Sequence, residues 1–177
     1  KCFGLRGWTA CLPSTIRYQM ACNMQAEPIG ASMPKLAGAH LTIPARQSAV
    51  REGLQCLFNT ILLQSLPADE RGTAEIVLAE ALNNIVEHAY SCYEGEIEIS
   101  LQLRKDELVC KISDTGLPMP DGQLPSGKPP ILGRLDSLPE GGFGWHLIRS
   151  LSKDLEYHRE GDRNFLTFRL DMRQSEP

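Results

Sequence analysis

Residues 79–90 read AEALNNIVEHAY. Within this stretch Glu80, Asn84 and His88 recur every fourth residue, which at 100° per residue confines them to an arc of about 80° on one helix face. Ala81, Ile85 and Ala89 fall on another face, so the stretch reads as the end of an amphipathic helix with a polar stripe. Tracing the pattern backwards, Ile76 and Val77 extend the apolar side, and the helix is expected over 70–90, after Pro67 breaks what precedes it. Three polar residues on a helix also fit an ordinary solvated surface, so their meaning depends on their surroundings in the chain.

Upstream, Val50, Leu54, Leu57, Phe58, Ile61 and Leu62 are spaced by three and four, which predicts one helix running to about Gln64, preceded by a short strand over 40–43 that Pro44 ends. Downstream, 96–103 and 107–113 alternate in strand fashion and form an antiparallel hairpin turning at Arg104, Lys105 and Asp106. Residues 117–140 hold six of the twelve prolines, a loop far beyond the usual ~4–6 residues and therefore a lid or a disordered segment. A helix over 143–153 and two strands, 155–159 and 164–170, complete the pattern. Helices separate from antiparallel strands specify an α+β, two-layer sandwich: a mixed, mostly antiparallel sheet with helices on one face.

The chain of 177 residues suits one domain, over 40–171, with a six-residue tail at 172–177. Residues 1–39 show no sustained period and read as an N-terminal extension, poorly structured or foreign to the domain, with Met33 nearer the domain's own start. A net charge of −4 without a Lys/Arg run excludes a nucleic-acid or anionic-membrane surface. No apolar stretch is long enough to span a bilayer, and the chain reads as cytoplasmic. The six cysteines lack metal or redox spacing, and Cys56 and Cys110 are expected in the core.

Two more stretches accompany the helix. SDTGLP (113–118) closes a strand, and EGGFGWHLI (140–148) opens a helix. A carboxylate at a strand end, Asp114, can accept from an amino group, and Gly116 lets the backbone approach without a Cβ; a plain turn explains D-x-G equally well. Gly141, Gly142 and Gly144 ahead of a helix can cradle phosphate charge or serve as a hinge. GQLPSGKP (122–129) imitates a P-loop, but Pro129 stands where a magnesium-binding hydroxyl belongs and no helix can start after Lys128.

Taken in order, the three stretches resemble the N-box and two glycine boxes of the GHKL (histidine-kinase-like) ATPases, and most resemble the anti-sigma-factor serine/threonine kinases. The resemblance implies ATP and Mg²⁺ as cofactors, with ATP bound by Asn84, His88, Asp114, Gly116, Gly141, Gly142, Gly144 and Thr167. It makes Asn84, a hard amide oxygen, the magnesium ligand, Glu80 the catalytic base and Asp114 the adenine selector. His88 serves either a phosphate or a backbone group, and Thr167 either the adenine or only its strand. The implied partners are a STAS-type anti-sigma-factor antagonist, a sigma factor and a second copy in a homodimer. Glu140 stands where some kinases of the family carry Arg, so the alternative is an ATP-binding module that sequesters a regulator without phosphotransfer.

Overall fold

A computed structural model describes residues 17–18, 37–127 and 143–172. The elements run β1 (Arg17–Tyr18), β2 (Ala37–Pro44), α1 (Gln47–Phe58), α2 (Ile61–Gln64), α3 (Ala68–Asn84), a π-helical turn (Ile85–Ala89), β3 (Glu96–Arg104), β4 (Glu107–Asp114), a 3-10 turn (Pro120–Gly122), α4 (Gly144–Leu151), β5 (Lys153–Glu160) and β6 (Arg163–Asp171). The six strands form one sheet in the order β1-β2-β3-β4-β6-β5. The α+β architecture is as expected, yet every described pairing is antiparallel. A mixed sheet does not result because β6 fills the place between β4 and β5, the two strands that share a direction across α4.

Strand alternation decides which face is covered. Leu41, Ile43, Ile97, Ile99, Leu101, Leu108, Cys110, Ile112, Leu166, Phe168 and Leu170 are buried, with their sequence neighbours more exposed. They meet Ala49, Val50 and Leu57 of α1, Val77, Leu78, Ala81 and Leu82 of α3, and Ile148 of α4 in one core. Each buried Val, Leu, Ile or Phe among them contributes about 1.5–3 kcal/mol by leaving water. Burial pushes the Cys110 thiol far up, so it is a neutral packing group. Cys56 is only half-buried and Cys92 is exposed; all three are free thiols.

The single helix expected to reach Gln64 is broken at Asn59 and Thr60. Thr60 Oγ1 donates to Leu57 O at 2.6 Å and accepts from Leu63 N, closing α1 and capping α2 with one buried hydroxyl. The break turns Ile61 to solvent, where it is 81% exposed. The apolar face of α3 is also narrower than its pattern suggested: Ile76 lies outside it, exposed, while Val77 is fully buried.

The uncovered face of the sheet is polar and internally paired. Arg163 bonds Glu98 at 2.8 Å, Arg169 bridges Glu107 and Asp154, and Lys153 pairs with Asp171. Lys111 lies over the Phe165 ring, on which His158 stacks. The edge strand β5 carries Lys153, Asp154, Glu156, His158, Arg159 and Glu160. Its pairing with β6 is irregular between Lys153 and Glu156, where Asp154 has a positive φ of 47°.

Candidate active site

α3 aims its last turn at the start of α4. A Cβ placed on Gly144, the first residue of α4, would lie 2.6 Å from Glu80 Oε2 and 3.3 Å from Asn84 Nδ2. The Glu80 carboxylate and the Asn84 amide therefore both abut a helix N-terminus, and a side chain on Gly144 would have to displace the Glu80 carboxylate from this approach. Asn84 Nδ2 is buried and has no hydrogen-bond partner among the described residues. Such an orphan costs about 1–3 kcal/mol, so this amide is held ready for a ligand atom.

Beyond Asn84 the helix widens into the π-turn, a feature frequent at functional sites. The extra residue brings the Ala89 carbonyl against the segment after β4: Leu117 N donates to it at 3.0 Å, and a Cβ on Gly116 would lie 2.7 Å from it. Gly116→Ala is thus expected to force backbone apart at this crossing. A destabilisation of about 1–3 kcal/mol should follow, lowering the melting temperature by roughly 5 °C and weakening nucleotide binding, as thermal melts and calorimetry would register.

A cavity of about 480 Å³ opens between these parts. Asn84, Ile85, His88 and Ala89 line one side, Asp114, Asn164 and Leu166 the sheet side, and Leu117 to Pro120 with Pro125 the loop side; Trp145 and Tyr157 complete the wall. Its size and mostly apolar lining with a few polar groups suit a small ligand with a flat ring. Asp114 is 6% exposed, and its Oδ1 accepts from Gly116 N at 2.8 Å and Asn164 Nδ2 at 2.9 Å. Burial raises its pKa above the usual carboxylate range, against the pull of Asn164, Gly116, Arg159 and Tyr90.

The structure brings Glu80, Asn84, His88, Asp114, Gly116 and Gly144 around this region. Gly141 and Gly142 lie outside the described residues, as do Lys128 and Glu140. Thr167 requires a correction. It pairs across to Lys111 and Glu156, and along β6 it alternates with the buried Leu166 and Phe168, so its side chain lies on the face away from the cavity. The β6 residue that reaches Asp114 is Asn164, which shares the parity of Leu166, Phe168 and Leu170; that alternation was the available signal. Met119 and Tyr157 were also missed, since neither belongs to a motif, and Trp145 was passed over although it stands inside EGGFGWHLI, directly after Gly144.

Residues 43–170 match the histidine kinase-like ATPase domain. The chain belongs to this family. Among curated relatives of the ATPase, serine-protein kinase RsbW of Bacillus mycoides is 30% identical over 147 residues, covering 81% of this chain and 92% of the relative. Serine-protein kinase RsbW of Bacillus cereus is 34% identical over 111 residues, 61% of this chain and 69% of that protein. The histidine kinase-like ATPase thus has an ATP-binding fold, and the cavity between α3, the sheet and α4 is a large, mostly apolar-lined opening. No described helix of the ATPase is long and apolar enough to cross a membrane.

Proposed function

We propose that this ATPase is an anti-sigma-factor serine/threonine protein kinase that transfers the terminal phosphoryl group of ATP to a small STAS-type antagonist protein, with a sigma factor as its other partner. The observation that carries the reading is the meeting of Glu80 and Asn84 with the N-terminus of α4. Asp114 accepts from the adenine amino group, Trp145 and Tyr157 flank the base, and the phosphates extend towards Asn84 and Gly144. His88, also on the cavity wall, stands on the side of the nucleotide.

Among the described residues no cluster of three or more His, Cys, Asp or Glu offers a cation a cage. The unpaired Asn84 Nδ2 donor suits a phosphate oxygen, and the amide's Oδ1 is a hard acceptor that fits an ion taking most of its ligands from phosphates and water, which is the habit of Mg²⁺. Asn84 would hold it through Oδ1, and the ion would neutralise phosphate charge when bound. Glu80 then receives the proton of the attacking hydroxyl while that oxygen bonds to the γ-phosphorus, the bond from phosphorus to the bridging oxygen breaks, and ADP leaves. The helix N-terminus adds fixed positive charge where the phosphate lies.

Incubation of the full chain with γ-labelled ATP, magnesium and a candidate antagonist protein should place label on a serine or threonine of that protein. Binding of ATP with formation of the complex and no label in the antagonist would replace the kinase reading with that of a sequestering module.

A further inference from the structure

Asn164 is 4% exposed and bonded on both sides of its amide. Nδ2 donates to Asp114 Oδ1 at 2.9 Å, Leu117 O at 3.2 Å and Gly116 O at 3.3 Å. Oδ1 accepts from Arg159 Nη1 at 2.6 Å and from the Tyr157 hydroxyl at 2.8 Å. That hydroxyl in turn accepts from Met119 N at 3.1 Å, which directs its proton to Asn164.

We propose that Arg159, on the edge strand and outside the cavity, is a positioning residue that locks the Asn164 amide in one orientation and thereby sets Asp114 to read the amino group of adenine. This rests on the assignment of Asp114 as the base acceptor. A guanidinium has donors and no acceptor, so the atom facing it must be the amide oxygen. The opposite side faces three acceptors, and a flipped amide would set its oxygen against all of them. With the amide locked, Asp114 Oδ1 is occupied twice and Oδ2 remains to accept from the base. Asn164 and Gly116, and after them the same guanidinium, oppose the upward push of burial on Asp114.

Without Arg159 the amide loses its strongest orienting donor. Asp114 then loses its fixed neighbour and accepts a proton more readily, in which state it can donate to a 6-oxo base. The consequence is a change of base preference, which distinguishes this role from simple support. Arg159 is exposed, and it does not line the cavity, so its replacement removes no group from the ligand-facing wall. It also donates to Gly116 O at 3.1 Å, from the same Nη1, so a Lys at this position can restore a donor in the same direction.

Calorimetry with ATP and with inosine triphosphate, which carries a 6-oxo group in place of the amino group, tests this on the native chain, Arg159→Ala and Arg159→Lys. The alanine variant is expected to lose about tenfold in ATP affinity, the size of one charge-assisted hydrogen bond, and about twofold or less for inosine triphosphate. The lysine variant should return the ratio to within about threefold of native. Equal losses for the two nucleotides in the alanine variant, or an unchanged ratio, would overturn the proposal and leave Asp114's assignment standing. A native chain that binds both nucleotides alike would overturn that assignment and the proposal with it.

Discussion

Asp114→Asn is expected to abolish discrimination for adenine and to weaken ATP binding by about a hundredfold, while the melting temperature at neutral pH stays level or rises. The first effect follows from donor chemistry. The carboxylate accepts at both oxygens, whereas the amide must present an NH₂ to the amino group of the base or surrender its contacts with Gly116 and Asn164. A lost bond to a charged acceptor is worth about 1.5–3 kcal/mol, and facing donors add to that. The second effect follows from burial. A carboxylate whose folded pKa is raised favours folding most at pH below its unfolded value, and that contribution is lost as pH rises through the folded value. Asparagine has no such loss. The variant's relative gain in melting temperature should therefore shrink as the pH is lowered towards the ordinary carboxylate range. Calorimetry and melts across pH separate the two effects; a variant that binds ATP as the native chain does would remove Asp114 from the site.

What could be read in the chain and what could not divides along physical lines. The stripe of Glu80 and Asn84 was legible because a helix repeats at short range, and the glycine near its target, Gly144, because close approach leaves a compositional trace. The helix break at Thr60 was hidden, since Ile61 and Leu62 continue the apolar spacing and only one hydroxyl ends the turn. Asn164 was half legible: strand parity puts it on the face of Leu166 and Phe168, but its register with Asp114, fifty residues earlier, leaves no local trace. Thr167 was named through the family resemblance, and strand parity turns its side chain to the other face. The π-turn left no sign in the sequence because residues 85–89 have the same apolar spacing as an α-helix.

Glu80→Gln should separate chemistry from binding. Phosphotransfer to the antagonist is expected to fall by about 10²–10⁴-fold, the usual contribution of a positioned base, with ATP affinity within about threefold of native. Glutamine keeps the shape beside Gly144, where Glu80 Oε2 would lie 2.6 Å from an added Cβ, so the close packing of α3 on α4 persists. What is lost is the ability to take a proton. Single-turnover assays with labelled ATP, run beside calorimetry, check both halves. Transfer at the native rate would assign the proton to another acceptor, and a parallel fall in ATP affinity would make Glu80 a structural contact rather than a base.

The charged edge strand has a consequence for assembly. A row of unpaired amides and carbonyls invites another chain to continue the sheet, and β5 would be the obvious place for it. Its irregular pairing at Lys153–Glu156, the positive φ at Asp154 and the run of Asp154, Glu156, His158, Arg159 and Glu160 together spoil that template. Growth by strand addition is disfavoured on this side of the molecule, so the chain is guarded against open-ended fibre formation there, and a protein docking at this end must meet a face or loop of the domain instead.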